Sequence, residues 1–420
     1  MKNTTMLALG ALLLTQPVFS QQPAPTTFQE ARIDSLAQRL VRTGKVQGVN
    51  LLFSQNGKII YRKAFGKADE NRPLQTGDIF RIASQTKAIT SLAVMMLWEE
   101  GRFLLDEPVS NYIPAFANLR VIKDFNAADT TYTSVAPNRP VTVRDLLRHT
   151  SGISYPLITG DPRFQAIFAK HKVPTGIGSP GNLKNFVDQI ALQPLVHNPG
   201  EAFTYGLNID VLGRLVEIWS GQPLEVFFRE RIFRPLEMND TYFRVPDDKA
   251  KRLVPVFSAT GGRLHRQTAP IYEGNDAGYP LQDGIIVSGG AGLSSTTADY
   301  AKFLQLLLDG GVYKGKRIIG NAAIRLMTTP QIPQGATAKW DWPDFSFGLG
   351  FSLVTPQNQA AGPVPEGSFF WGGAFNTHYW ADPANDIVGI VFTQEYAPAS
   401  YWDLGTLFKN VFYTALEKSK

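Results

Sequence analysis

The sequence reads Gly-Val-Asn-Leu-Leu-Phe-Ser-Gln-Asn-Gly-Lys-Ile-Ile-Tyr-Arg-Lys-Ala-Phe from Gly48 to Phe65. Two largely apolar runs flank the dipeptide Asn56-Gly57. Asn-Gly between such runs is a strong short-range signal for a β-hairpin. The stretch therefore predicts two antiparallel strands near the amino terminus.

The other end of the chain carries the patterns that could complete a sheet. Further strands are predicted within residues 347–354, 368–373, 379–380 and 386–393, where apolar and aromatic residues cluster between turn residues. Helical patterns lie outside both strand groups, at residues 28–42 and about 401–417. We expect both ends of the chain to form one antiparallel sheet flanked by terminal helices.

The middle of the chain is mostly helical in pattern. Helices are predicted at residues 84–100, 143–148, 183–192, 209–219 and 297–308, several of them ended by glycine. The economical arrangement is an α/β fold of the α+β type, in which a mostly helical region is inserted into an antiparallel sheet. We expect a sheet domain made of residues 21–83 and 286–420 and a helical domain made of residues 84–285.

The amino terminus has the pattern of a secretory signal peptide. Lys2 is the one charged residue before Glu30, and an apolar run, a proline and the small residue Ser20 follow it. We expect cleavage of residues 1–20 and a periplasmic or secreted protein. The apolar run is too short to span a bilayer, and a chain with no cysteine has no lipobox. No stable membrane anchor is expected in the mature chain.

Composition excludes several classes of function. The chain has 41 basic and 36 acidic residues without a run of like charges, so nucleic-acid binding gets no support. The five histidines lack metal-binding spacing, and the absence of cysteine removes thiolates, so no metal is expected. The G-x-G-x-x-G match at Gly176 follows Val173-Pro174 and contains Pro180, which argues against a dinucleotide site. No cofactor is expected.

Ser84-Gln-Thr-Lys87 is the candidate for nucleophilic chemistry. A tetrapeptide of this kind arises by chance in a chain of 420 residues, but this one opens an apolar helix. Ser84 is predicted at or near the N-cap, with Lys87 one turn later on the same face, where an amine can activate a hydroxyl. The alternative is a capping serine beside a surface lysine, and this segment alone does not decide between them.

Five segments in order carry a resemblance to a known family. They are Ser84-x-x-Lys87, Leu146-Leu-Arg-His-Thr-Ser-Gly-Ile153, Asn198-Pro-Gly-Glu-Ala-Phe-Thr-Tyr205, Ser288-Gly-Gly-Ala-Gly-Leu-Ser-Ser295 and Phe370-Trp-Gly-Gly-Ala374. This series resembles the serine β-lactamase and penicillin-binding superfamily, in its class C-like branch, which includes β-lactamase-like esterases. The resemblance extends over about residues 28–415, and a sheet with a helical insertion is the fold that it implies.

The resemblance implies roles for individual residues. Ser84 is the nucleophile, Lys87 activates it, and Tyr205 is the base and proton shuttle. A phenol ordinarily titrates near pH 10, so a tyrosine base needs a neighbouring cation such as Lys87. Whether Tyr205 or Lys87 takes the proton stays open, and the alternative for Tyr205 is a packed core aromatic. His149 has no catalytic role in the family, which predicts a structural histidine.

The late strand implies the rest of the site. Trp371, Gly372 and Gly373 occupy the position of a Lys-Thr-Gly box and are predicted to bind substrate, with glycines that permit close backbone approach. The backbone amides of Ala374 and Ser84 would form an oxyanion hole. The alternative for Trp371 is a core aromatic beside a bulge.

Two departures from the family pattern bear on the substrate. Leu207 stands where lactamases carry asparagine, with Asn208 one residue late, and Trp371 replaces a cation that would bind a substrate carboxylate. Both changes favour a carboxylic-ester hydrolase that acts on a small-molecule ester or amide. The alternatives are a β-lactamase or D-alanyl-D-alanine peptidase, and a non-catalytic binding protein of the same fold.

Overall fold

The computed structural model describes residues 28–158, 161–260, 262–338, 345–359, 362–398 and 403–416. Seven strands form the main sheet: β1 (Gly48–Gln55), β2 (Lys58–Gly66), β3 (Ser346–Phe347), β4 (Ser352–Leu353), β5 (Phe369–Gly373), β6 (Thr377–Asp382) and β7 (Ile387–Phe392). The α-helices are α1 (Glu30–Arg42), α2 (Thr86–Glu99), α3 (Val143–Leu147), α4 (Pro162–His171), α5 (Leu183–Ala191), α6 (Asn208–Ser220), α7 (Leu224–Phe228), α8 (Thr297–Leu308), α9 (Asn321–Met327) and α10 (Asp403–Leu416). The predicted signal peptide, residues 1–20, lies outside the described residues.

The main sheet is antiparallel throughout, in the spatial order β3-β4-β5-β6-β7-β1-β2. β1 pairs with β2 on one side and with β7 on the other, so early and late strands share one sheet. At the β1–β2 turn, Asn56 and Gly57 both have positive φ, 52° and 67°. These values fit the type I′ turn that Asn-Gly favours, and the predicted hairpin and sheet are confirmed.

The two terminal helices cover one face of the sheet. α1 is amphipathic, with Ile33, Leu36, Ala37 and Leu40 buried at a spacing of three to four residues. It packs against α10, and both helices contact strands of the sheet. α8 packs on β1, β6 and β7. The fold is therefore an α/β fold with helices around an antiparallel sheet.

α2 lies at the centre of the helical region. Every residue from Thr86 to Leu97 is buried, which suits a helix that is apolar on all sides. α2 packs mainly against α6. A short 3-10 turn, Ala83–Gln85, precedes α2 and contacts β5. The turn that leads into α2 therefore meets the sheet at β5, where the predicted site residues come together.

The region predicted as mostly helical also contains short strand pairs. Val121–Asn126 pairs with Thr131–Val135, and Phe257–Thr260 pairs with Arg263–Arg266. Both hairpins are largely exposed and polar, so they lack the apolar alternation that would have indicated strands. The domain boundaries at residues 83/84 and 285/286 stay predictions. Within the described ranges, no helix combines the length and apolar composition needed to cross a bilayer.

Candidate active site

Ser84 lies in the 3-10 turn that leads into α2, with 7% of its surface exposed. Ser84 lies next to Gln85, the N-cap residue of α2, which agrees with its prediction at or near the N-cap; no side chain caps the helix, so the alternative of a capping serine is not observed. The preceding residue, Ala83, has φ of 41°, a left-handed conformation that is unfavourable for alanine. The turn leaves the Ser84 hydroxyl free of a capping role and available to Lys87.

Lys87 is buried and makes three hydrogen bonds to oxygen. Its Nζ donates to Ser84 Oγ at 3.2 Å, to the Tyr155 hydroxyl at 2.9 Å and to the Gly290 carbonyl at 2.8 Å. An ammonium group has three donors, so these three acceptors satisfy it. The arrangement fixes the Lys87 amine beside the Ser84 hydroxyl, as the S-x-x-K spacing predicted.

Tyr205 and Trp371 complete the predicted group. The indole N–H of Trp371 donates to the Tyr205 hydroxyl at 3.2 Å. Lys87 Nζ lies 4.8 Å from the centroid of the Tyr205 ring, within the range of a cation–π contact. Although Tyr205 is largely buried, as its packing alternative predicted, it is buried against the reactive group. The structure thus brings Ser84, Lys87, Tyr205 and Trp371 together.

The backbone after Tyr205 is closely packed. A Cβ on Gly206 would lie 1.9 Å from the Ile153 carbonyl oxygen, so no larger residue fits there without a backbone shift. The Ala202–Phe203 strand precedes Tyr205, and α6 begins at Asn208. Tyr205 therefore lies in a short connection whose backbone packs directly against Ile153.

β5 brings Gly373 against the backbone just before Ser84. A Cβ on Gly373 would lie 2.0 Å from the Ile82 carbonyl oxygen, which explains why glycine is required there. Ala374 follows in the turn and packs in one apolar cluster with Ala83. The backbone that carries Ala374 and the backbone that carries Ser84 are thus neighbours, as an oxyanion hole requires.

Tyr155 is a site residue that the sequence reasoning missed. It is 1% exposed, and its hydroxyl accepts a hydrogen bond from Lys87. Burial, with added repulsion from Tyr205 and Asp210, raises the pKa of Tyr155 well above its ordinary value. Tyr155 lies two residues after the family segment that ends at Ile153, a position that does not by itself indicate a contact with Lys87.

Asp210 is a second residue that the sequence did not indicate. Its Oδ1 accepts hydrogen bonds from Ser288 Oγ at 2.5 Å and from the Gly290 amide at 3.1 Å. Burial raises the pKa of Asp210, and Lys87 opposes this rise. Asp210 thereby fixes the segment whose Gly290 carbonyl accepts from Lys87.

His149 is structural in its contacts, as predicted. It is fully buried, and its Nδ1 lies 2.9 Å from Asn208 Nδ2 and accepts from the Gly206 amide at 3.4 Å. Burial and the charge of Lys87 lower its pKa, so the ring is neutral. Asn208 is used in the same network, where its Oδ1 accepts from Ser151 at 2.5 Å. The side-chain amide of Asn208 is therefore used in hydrogen bonds to buried residues.

An antiparallel sheet next to a buried helix, with the serine of Ser-x-x-Lys in the turn before the helix and the lysine in its first turn, defines the class of active-site serine proteins with a β-lactamase fold. The family model named Beta-lactamase matches residues 33–408. The chain belongs to the β-lactamase family, which confirms the resemblance found in the sequence.

Several relatives cover nearly the whole chain. Protein Rv1367c of Mycobacterium tuberculosis is 31% identical over 364 residues, 84% of this chain and 86% of that protein. Esterase EstB of Burkholderia gladioli is 27% identical over 391 residues, 88% of this chain and 93% of that protein. The solved structure of EstCE1, a hydrolase with promiscuous acyltransferase activity, superposes with a TM-score of 0.77 at 25% identity, covering 92% of this chain and 98% of that one.

Proposed function

We propose that the protein hydrolyses carboxylic esters through an acyl-enzyme on Ser84. The observation that carries this proposal is that the hydrogen-bond donors of Lys87 and Trp371 are already bonded within the protein. All three Lys87 donors are bonded inside the protein, and the Trp371 indole N–H is bonded to Tyr205. A β-lactam or D-alanyl-D-alanine substrate brings a carboxylate that needs a cation. Neither Lys87 nor Trp371 supplies one, whereas an uncharged ester needs none.

The proposed cycle assigns one role to each group. Tyr205, assisted by the charge of Lys87, takes the Ser84 proton as the hydroxyl oxygen attacks the acyl carbonyl. The amides of Ser84 and Ala374 stabilise the negative charge on the carbonyl oxygen. The C–O bond to the alcohol breaks, and the alcohol leaves with the proton. Water then attacks the acyl-enzyme by the same route and releases the acid and free Ser84.

The likeness to EstB, whose name denotes an esterase, supports this substrate class. The likeness to EstCE1 supports a second outcome, in which an alcohol instead of water takes the acyl group from Ser84. Both outcomes share the acyl-enzyme and differ in the nucleophile of the second step. Adding methanol to the assay separates them, because acyl transfer yields a methyl ester.

A direct comparison of substrates tests the proposal. Purified protein is assayed on p-nitrophenyl butyrate, a chromogenic cephalosporin and a D-alanyl-D-alanine peptide, with Ser84→Ala and Tyr205→Phe as variants. We expect ester turnover that Ser84→Ala abolishes and kcat/KM values far lower for the cephalosporin and the peptide. Ester turnover that survives Ser84→Ala would exclude the mechanism, and a faster cephalosporin reaction would exclude the substrate class. A burst that stops at one product per protein would indicate the binding-protein alternative.

We also propose export to the periplasm or the medium with removal of residues 1–20. The support is the single charge, apolar run and small residue of the amino terminus. The mass of the mature protein recovered from the periplasm or culture medium tests this. A chain that keeps Met1 in the cytoplasm would contradict it.

A further inference from the structure

The segment that follows β7, residues 393–395, bonds to the backbone on both sides of the proposed oxyanion hole. Gln394 bonds to the backbone on the Ser84 side of the hole. The backbone N–H of Arg81 donates to Gln394 Oε1 at 2.9 Å, and Gln394 Nε2 donates to the Arg81 carbonyl at 3.1 Å. This side-chain amide therefore pairs with both backbone groups of a residue only three positions before the nucleophile.

Glu395 and Thr393 serve the side of Ala374. Asn376 Nδ2 donates to Glu395 Oε2 at 2.6 Å, and the Glu395 amide donates to the Phe375 carbonyl at 3.0 Å. Thr393 Oγ1 donates to the Asn376 carbonyl at 2.8 Å. These three bonds hold the turn of residues 374–376, which joins β5 to β6 and begins with the proposed oxyanion donor.

The turn needs support because of its backbone conformation. Asn376 has φ of 60°, the left-handed conformation usual at the third position of a three-residue hairpin loop. Its side chain bridges two neighbours, since its Oδ1 accepts from His378 Nε2 at 2.8 Å while its Nδ2 donates to Glu395. All three residues are buried. The position of the Ala374 amide thus depends on a buried side-chain network.

Burial of the Glu395 carboxyl group costs free energy, so packing alone does not explain a glutamate at this position. It is 6% exposed, and its Oε1 has no hydrogen-bond partner among the described residues. Burial raises its pKa to about 7. A buried carboxyl group with one unpaired oxygen destabilises the fold relative to an apolar side chain. The contribution of Glu395 to the site is the hydrogen bond that it accepts from Asn376.

We propose that Gln394 and Glu395 are positioning residues that set the separation of the two oxyanion-hole amides, those of Ser84 and Ala374. This inference rests on the proposed acyl-enzyme function. Gln394 fixes the strand that leads to Ser84, and Glu395 fixes the turn that carries Ala374. Because the two side chains are adjacent in one segment, a single stretch of chain holds both donors in register.

Three variants remove these side-chain bonds. Gln394→Leu and Glu395→Leu delete the side-chain bonds, and Asn376→Gly keeps the left-handed turn but deletes its bridge to Glu395. We expect kcat on p-nitrophenyl butyrate to fall by about 10- to 100-fold in each, since a displaced donor loses much of its stabilisation of the transition state. KM should stay within about threefold of wild type, because the ground-state carbonyl binds the hole weakly.

Two controls separate positioning from general stability. Glu395→Gln keeps an acceptor for Asn376 and should retain at least about a third of kcat. Asn50 lies in β1, and Asn50→Ser removes its buried side-chain amide, which donates to the Gln75 carbonyl. We expect Asn50→Ser to lower the melting temperature and leave kcat unchanged. Rates are measured at a temperature where each variant is folded by circular dichroism.

Affinity for an alkylboronic acid gives a readout that is independent of turnover. Its tetrahedral adduct with Ser84 places an oxygen in the hole, so Kd should rise in the three variants by the same factor as kcat/KM falls. Wild-type levels of kcat and boronate affinity in folded Gln394→Leu and Asn376→Gly would overturn the inference. Absence of ester turnover in wild type would instead refute the proposed function, while the boronate series would still test the positioning role.

Discussion

Removing the Tyr155 hydroxyl tests which tyrosine takes the serine proton. In Tyr155→Phe, Lys87 loses its 2.9 Å bond but keeps Ser84 Oγ and the Gly290 carbonyl. A hydrogen bond to a charged group contributes about 1.5–3 kcal/mol. With two of three acceptors retained, we expect the lower figure, which corresponds to about a tenfold loss in kcat/KM. The buried ring remains, so the fold should persist.

Tyr205→Phe should have a larger effect. Loss of a general base costs about 10²- to 10⁴-fold. Burial raises the pKa of Tyr155, so its phenol stays neutral and serves as an acceptor for Lys87. Lys87 lies over both tyrosine rings, but the hydroxyl of Tyr205 also accepts from the Trp371 indole N–H.

The assay is kcat/KM on p-nitrophenyl butyrate at neutral pH for wild type, both single variants and the double variant. We expect a loss of about tenfold for Tyr155→Phe and at least about a hundredfold for Tyr205→Phe. The reasoning is refuted if Tyr155→Phe loses as much activity as Tyr205→Phe. In that case Tyr205 is not distinguished as the base, and Lys87 and Tyr155 become the candidates.

Three other perturbations have defined outcomes. Gly206→Ala places a Cβ against the Ile153 carbonyl; it should destabilise the protein by about 1–3 kcal/mol and reduce ester turnover, whereas Gly362→Ala, in open space, should be neutral by urea unfolding. Trp371→Phe keeps an aromatic ring but loses the donor to Tyr205, so kcat should fall severalfold in the ester assay with the melting temperature little changed. Burial of Asp145 opposes its ionisation, but bonds from Arg139 and Thr142 outweigh burial and lower its pKa to about 2; the resulting stabilisation, about 2 kcal/mol, is present above pH 4 and is lost as the pH falls towards 2. Urea unfolding of Asp145→Asn should therefore show a deficit at pH 7 that shrinks by pH 3, and a constant deficit would contradict this assignment.

The parts of the fold that the sequence predicts are those with a local signal. Asn56-Gly57 dictates a tight turn, and its flanking runs place β1 and β2. The terminal helices follow from apolar spacing, as in Ile33, Leu36 and Leu40. The short polar hairpins, such as Val121–Asn126 with Thr131–Val135, carry no such periodicity. These hairpins form because neighbouring elements and turns fix them. A local sequence pattern does not indicate such contacts.

The same distinction applies to the site. Ser84 and Lys87 are one helical turn apart, so their spacing alone predicts proximity, and the ordered family segments add Tyr205 and Trp371. The contact of Tyr155 with Lys87 spans 68 residues, and that of Gly290 spans 203. Nothing in either local sequence specifies a lysine partner. Gln394 contacts Arg81 across 313 residues of sequence. No local pattern indicates this contact.

Both amides proposed for the oxyanion hole lie beside an unfavourable backbone conformation. Ala83 (φ 41°) precedes Ser84, and Asn376 (φ 60°) ends the turn that begins at Ala374. Such a conformation costs on the order of 1 kcal/mol for a non-glycine residue, so surrounding contacts must hold it. At Ala83 these contacts are a buried apolar cluster, and at Asn376 they are the bonds to buried partners. Because the contacts that offset the strain also fix the amides, a change in the hole should lower stability and rate together.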